Sequence, residues 1–289
     1  MPTDSHFSDR LASAIDDAGS PICVGIDPML ERLPEALRSL TDDPAELVAA
    51  FCMGVIDAVA DHAGVVKPQS ACFERLGSIG VGILELTIAK AHERGLLVVL
   101  DAKRGDIGST ARHYAAGAIG IGADSITLNP YMGRSAIEPF LDAGLGAFAL
   151  ARTSNPDSDE IQSARLKNGS TIGEHIASII SDLGSAHIGA RGLSDLGAVV
   201  GATKSADGAR LRAIMPDQVF LVPGVGAQGG TVEDVRSLTR PGASSVGELG
   251  VLVNSSRSVI YAEPAPRETW TDAISRSAAA LAGELRSLI

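Results

Sequence analysis

Eight short apolar runs recur along this chain, most of them followed by a stretch of helical amphipathicity, and this alternation limits the possible folds. The runs are Ile22–Asp27, Val65–Pro68, Leu96–Asp101, Ser125–Asn129, Ala147–Ala151, Leu196–Gly201, Val219–Pro223 and Gly250–Asn254. The amphipathic stretches include Pro44–Ala60, Ile83–Arg94, Ser109–Ile119, Ile172–Leu183 and Thr231–Thr239. Strands that alternate with helices pair in parallel through right-handed crossovers. Eight such units without a long linker predict an α/β fold: one (β/α)8 barrel spanning residues 1–289, a size such barrels reach as a single domain. A doubly wound open sheet is the alternative. Trp270–Ile289 carries Ile274, Ala278, Leu281 and Leu285 at helical spacing and reads as the last barrel helix.

A barrel builds its site at the carboxyl ends of its strands. There the third run is unusual: Leu96 to Leu100 are apolar, and Asp101, Lys103 and Asp106 follow at once. Side chains alternate along a strand, so Asp101 and Lys103 share a side. Gly105 and Gly108 let the chain turn and release Asp106 from strand geometry. Uncompensated, three ionisable groups at the end of a buried strand would cost several kcal/mol. The plainer alternative is a solvated loop with a chance ion pair. Other polar residues also fall at run ends: Asp27 on the first, Lys67 on the second and Asn129 on the fourth. Thr153, Ser154 and Asn155 follow the fifth, Gln228 the seventh and Arg257 the eighth. The chain has five lysines against 19 arginines, yet Lys67 and Lys103 both end apolar strands. Lysine gives up a proton far more readily than arginine, which points to proton transfer.

Composition removes several function classes. A net charge of −11 and 3% aromatic content disfavour a nucleic-acid surface, which needs basic patches and stacking platforms. No apolar stretch approaches the roughly 18 residues of a membrane span, and Met1 to Arg10 shows no basic-then-apolar leader. Cys23, Cys52 and Cys72 are odd in number and set among apolar neighbours, which reads as buried thiols in a cytoplasmic protein. The six histidines show no metal-ligand spacing, so no metal site is expected. Two insertions break the alternation, Met29 to Asp43 and Thr153 to Ser170. The second, at 153–170, is polar and reads either as a lid over the site or as a surface loop.

Residues 224–229 match G-x-G-x-x-G, which raises a dinucleotide fingerprint. The match lies seven strands into the chain, whereas a Rossmann unit normally opens its domain. A single phosphate fits better. Backbone N–H groups of Pro223–Gly230 and the following helix N-terminus would hold it, with Arg257 adding charge-assisted hydrogen bonds. Glycines that merely turn the chain are the bland alternative.

Taken together, these residues resemble orotidine 5′-phosphate decarboxylase across nearly the whole chain. Asp101-Ala-Lys103-Arg-Gly-Asp106-Ile107-Gly-Ser-Thr110 is similar to that family's D-x-K-x-x-D-[IV]-x-x-T signature. Val24-Gly-Ile-Asp27-Pro28, Val66-Lys67-Pro68, Pro223–Gly230 and Asn254-Ser-Ser-Arg257-Ser resemble its other blocks. Leu128-Asn-Pro-Tyr-Met-Gly133 and Ala151-Arg-Thr-Ser-Asn-Pro156 are similar to its longer, type 2 subfamily. The resemblance implies conversion of orotidine 5′-phosphate to uridine 5′-phosphate and CO2 in pyrimidine synthesis, with no cofactor and no metal. It implies Lys103 as proton donor to C6, with Asp101, Lys67 and Asp106 completing an alternating charge array. Asp27 and Asp106 would bind ribose hydroxyls, and Ser154, or else Thr153, the base. Gln228 would meet the pyrimidine and the approach to the phosphate, and Arg257 the phosphate itself, with Asn129, Pro223 and Gly226 also lining the substrate. Asp106, Ile107 and Thr110 would reach into a neighbouring subunit's site, which makes a homodimer with shared sites the expected partner arrangement. Two other readings remain: a Mg-dependent sugar-phosphate decarboxylase of the same superfamily, and a non-catalytic phospho-ligand-binding barrel.

Overall fold

In the computed structural model, which describes residues 5–226 and 229–289, eight parallel strands close into a barrel in sequence order. They are β1 (Ile22–Ile26), β2 (Val65–Pro68), β3 (Leu97–Arg104), β4 (Ser125–Leu128), β5 (Gly146–Arg152), β6 (Ser194–Val200), β7 (Gln218–Pro223) and β8 (Val251–Ser255). β8 returns to β1 through Ile22 opposite Val253 and Cys23 opposite Asn254, so no sheet edge is left open. The closed barrel replaces the open-sheet alternative.

Alternation along each strand sorts the core into two layers. Phe220 and Val222 of β7 face outward onto the helices, while Val219 and Leu221 face the barrel axis. The same phase turns Val65, Val99 and Leu252 inward. Continued toward the carboxyl ends, it carries Lys67 and Gln69 after Val65, and Asp101 and Lys103 after Val99, to the same interior. The inner layer ends there and the polar site begins.

The opposite mouth is stoppered by helix α1 (Phe7–Ala18), which the sequence reading did not identify. Its Phe7, Leu11, Ala12 and Ile15 pack into the inner layer at the four-residue spacing of one helix face. Phe7 meets Phe148 edge-on at 6.1 Å between ring centres. Asp195 accepts from the Ser8 amide and hydroxyl at 2.8 and 2.9 Å, which fixes the helix start.

Most expected helices match within a few residues, as with Pro44–Val59, Gly108–Gly120, Ile172–Gly184 and Trp270–Leu285. Helix Gly77–Glu93 begins six residues before the expected Ile83. Thr231–Thr239 shortens to Val232–Arg236, because the Thr231–Asp234 capping box starts it and the Thr239-Arg-Pro sequence cannot extend it. The 153–170 insertion is ordered as a 3-10 turn (Pro156–Ser158), a short helix (Asp159–Gln162) and an Arg165–Thr171 bridge. Among the described residues, no helix is long and apolar enough to cross a membrane.

Candidate active site

β3 runs three residues past the expected Asp101, and that extension builds the centre of the site. Its register against β4 shifts between Leu100 and Arg104. Lys103 lies within the shift at φ 44°, a left-handed conformation that is strained for a long side chain. The Lys103 amide donates to Thr127 Oγ1 at 2.9 Å, which offsets part of that cost.

Asp101 is the hub. Lys67 Nζ donates to its Oδ2 at 2.7 Å and Lys103 Nζ to its Oδ1 at 2.5 Å. Thr127 Oγ1 donates to Oδ1 at 2.9 Å and Gln69 Nε2 to Oδ2 at 3.1 Å. Each carboxylate oxygen thus has two donors, which satisfies a buried charge in full. Burial alone would raise the Asp101 pKa, but the two ammonium groups outweigh it and hold the carboxyl well below the usual range. For Lys67 burial works toward the neutral amine, and the Asp101 and Asp27 carboxylates reverse that, keeping it protonated above its ordinary range. The Lys67 and Asp101 side chains are 6% and 8% exposed, whereas Lys103 is 47% exposed. Lys103 is therefore the cation of this array that an incoming molecule can touch.

Asp27 follows β1 beside it. Ser256 Oγ donates to its Oδ2 at 2.5 Å, while Oδ1 is buried without a partner among the described residues. An orphaned buried acceptor is costly unless a ligand donor completes it. Gly25 makes the Ser256 contact possible, since a Cβ there would stand 2.7 Å from Ser256 Cβ. Tyr261 Oη donates to the Asp27 carbonyl at 2.9 Å and accepts from the Met29 amide at 2.6 Å, clamping the turn after β1. Its ring stacks on Phe51 at 5.5 Å and lies under the Arg32 guanidinium at 4.2 Å.

At the phosphate end, Gly224 and Gly226 adopt φ of 100° and 78°, open mainly to glycine. At the start of the helix after this loop Thr231 and Asp234 cap each other, the Thr231 amide donating to Asp234 Oδ2 at 2.9 Å and the Asp234 amide to Thr231 Oγ1 at 3.2 Å. The Gly226, Gly229 and Gly230 amides are also used within the loop. Arg257 makes no hydrogen bond or ion pair among the described residues, which leaves its guanidinium free to meet an anion beside the Ser256–Ser258 turn.

One cavity of about 420 Å³ connects these groups. Of the expected residues it gathers Asp27, Lys67, Asp101, Lys103, Thr153, Ser154, Pro223 and Arg257. Gly226 borders a neighbouring cavity instead, and Gln228 lies outside the described residues. Asp106, Ile107 and Thr110 do not line this chain's cavity: Asp106 accepts from the Ile107 amide at 2.7 Å ahead of helix Gly108–Gly120, and Ile107 is exposed. Asn129 is outside it too, turned to cap Pro130–Met132 by accepting from the Tyr131 amide at 3.1 Å. Sequence reasoning missed Thr127, Gln69, Gln162, Asn254 and Ser256, all of which line the cavity. For Gln69 and Thr127 the signal was available, since each lies in phase with the inward side of its strand.

The arrangement suits an anionic ligand held at one end by Arg257 and met at the other by a preorganised ammonium. The volume is in the range of small-molecule sites. Comparison with known proteins gives the chain's relatives. The sequence model of the Orotidine 5'-phosphate decarboxylase / HUMPS family matches residues 20–273. The chain is 40% identical over 292 aligned positions to the orotidine 5'-phosphate decarboxylase of Rhodopirellula baltica, covering 93% of this chain and 95% of that one. It is 43% identical to that of Haloarcula marismortui, covering 89% and 87%. The solved structure of Leishmania donovani OMP decarboxylase superposes with a TM-score of 0.79 at 30% identity, covering 98% of both chains.

Proposed function

The chain belongs to the orotidine 5′-phosphate decarboxylase / HUMPS family, and on that premise we propose that it removes CO2 from orotidine 5′-phosphate to give uridine 5′-phosphate, with Lys103 as the proton donor. The reaction is a carbon–carbon lyase step of pyrimidine synthesis. The C6–carboxylate bond breaks and its electron pair stays on C6, in the ring plane where the π-system delocalises it poorly. Lys103 has its ammonium held by Asp101 and open to the cavity; it stabilises the developing charge and then transfers one proton to C6. Asp101 holds that ammonium and faces the substrate carboxylate. Lys67 and Asp101 stay ionised together, and Lys103 shares the same carboxylate through its other oxygen. No cofactor is needed for these steps.

Asp27 Oδ1 takes a ribose hydroxyl, and Arg257 takes the phosphate. Phosphate contacts remote from C6 then contribute to orientation and loop closure as well as to affinity. The observation that carries this reading is the Lys67–Asp101–Lys103 array, whose one exposed ammonium faces a nucleotide-sized cavity. The test adds orotidine 5′-phosphate with a chelator present and follows the substrate's ultraviolet absorbance. Loss of absorbance with release of CO2 supports it. Turnover that needs Mg2+ would favour the sugar-phosphate decarboxylase alternative, and tight binding without turnover a sensor.

The active form is a homodimer in this account. Asp106, Ile107 and Thr110 stand clear of their own chain's cavity. Ile79 and Leu86 on helix Gly77–Glu93, Tyr114 on helix Gly108–Gly120, and Tyr131 and Met132 after β4 are also exposed apolar residues, on consecutive barrel units. Asp106 and Thr110 then complete the partner's site. The 153–170 segment serves as the wall and lid over the base. The enzyme works in the cytoplasm, in keeping with three free cysteines, two of them buried.

A further inference from the structure

Gln162 closes the short helix Asp159–Gln162 and reaches back to Thr153 twice. Its Oε1 accepts the Thr153 amide at 2.8 Å, and its Nε2 donates to Thr153 Oγ1 at 2.9 Å. Thr153 Oγ1 donates in turn to Asn155 Oδ1 at 2.7 Å. Both Thr153 donors are therefore committed inside the protein. Ser154, the next residue, is the reverse case. Among the described residues its amide and hydroxyl make no hydrogen bond, and it lines the cavity. Its carbonyl accepts from Thr203 Oγ1 at 3.2 Å. Gly201 lies so close that a Cβ there would stand 2.8 Å from the Ser154 backbone.

The other end of the short helix is anchored as firmly. Asp159 pairs with Arg152 at 2.6 Å and with Lys204 at 2.7 Å, and Arg152, at the end of β5, is buried. A loop of contacts thus leaves β5 at Arg152, crosses to Asp159, follows the helix to Gln162 and returns to the chain at Thr153.

We infer that Gln162 is a positioning residue which, by committing Thr153, leaves Ser154 as the donor and acceptor presented to the edge of the pyrimidine. This rests on the decarboxylase reading. A ring edge with adjacent N–H and C=O groups matches a serine that offers a hydroxyl and an amide. Gln162, with both amide atoms engaged by Thr153, therefore governs recognition of the base through that residue.

The test measures calorimetric binding of uridine 5′-phosphate and of ribose 5-phosphate, which lacks the base. Gln162→Met should weaken uridine 5′-phosphate about tenfold, the worth of one well-placed hydrogen bond, and leave ribose 5-phosphate unchanged. Ser154→Ala should show the same base-specific loss, and adding Gln162→Met to it should cost no more than about twofold further. Gln162→Ala also removes both contacts to Thr153 and provides the same comparison should the methionine variant fold poorly. Equal weakening of both ligands, no weakening of either, or full additivity with Ser154→Ala would overturn the inference. Wild-type protein that neither binds uridine 5′-phosphate nor consumes orotidine 5′-phosphate would instead strike the decarboxylase reading, so the two failures are distinct.

Discussion

Replacing Asp101 with Asn removes the charge that makes two ammonium groups tolerable at the barrel's end, and the cost follows from their exposure. Lys103 is 47% exposed, so solvent screens its share of the array and its loss counts for little. Lys67 is 6% exposed and depends on Asp101, with Asp27 as a second, Coulombic support. Removing one member of a buried pair typically costs about 3–5 kcal/mol, and the remaining Asp27 puts this case near about 3. The pH dependence is the sharper test. In the wild type Lys67 is raised above its ordinary range, so its contribution is complete below about pH 10.4 and is lost as pH rises through the folded value. Asp101 is lowered, so its contribution is present above about pH 3.9 and is lost as pH falls. Wild-type stability from this array is therefore flat between about pH 5 and 10. In Asp101→Asn, burial dominates at Lys67 and its folded value drops below the unfolded one. The unfolded chain then binds more protons, and stability rises with pH. Equilibrium urea unfolding from pH 7 to pH 10.5 should give a flat or falling profile for the wild type and a rising one for the variant. A variant within about 1 kcal/mol of wild type, or one with the same slope, would refute the idea that Asp101 pays for the buried lysine.

Tyr261→Phe leaves the Asp27 carbonyl and the Met29 amide unpaired, which should cost about 1–3 kcal/mol and raise KM for orotidine 5′-phosphate more than it lowers kcat. Unchanged melting and KM would contradict the clamp. Gly146→Ala would place a methyl 2.1 Å from the Phe7 ring. Thermal unfolding should show a loss of about 1–3 kcal/mol with normal activity in the folded protein, and no loss would deny the plug role of α1. Inactive Asp101→Ala and Asp106→Ala subunits, mixed, should regain partial activity because one site of the mixed dimer is wholly wild type. No recovery despite proven subunit exchange would mean each site is built from one chain.

The barrel was legible because its evidence is repetitive: eight apolar runs in one phase leave little freedom. The charged array was legible for a related reason, since Asp101 and Lys103 lie two apart on a strand and must share a side. What escaped depends on contacts distant in sequence. Asn129 ends the fourth apolar run in the sequence, yet the strand stops at Leu128 and Asn129 turns to cap Pro130–Met132. The inward phase had already passed through Thr127, a residue so common in strands that its identity carried no warning. Gln162 lay inside a polar insertion whose order depends on Arg152 meeting Asp159 and Asp207, pairings that no local pattern announces. α1 was harder to read although Phe7, Leu11 and Ile15 repeat every four residues, because a helix ahead of β1 stands outside the strand–helix alternation. The phosphate loop was legible as a glycine turn ahead of a helix, and the T-x-x-D capping box at Thr231 marks where that helix begins.

Turnover by Lys103→Ala tests the central claim most directly, with uridine 5′-phosphate binding measured on the same sample. The account predicts binding within a few-fold of wild type and decarboxylation reduced by about four orders of magnitude or more. Turnover within about tenfold of wild type would contradict it, because the proton reaching C6 would then come from another group.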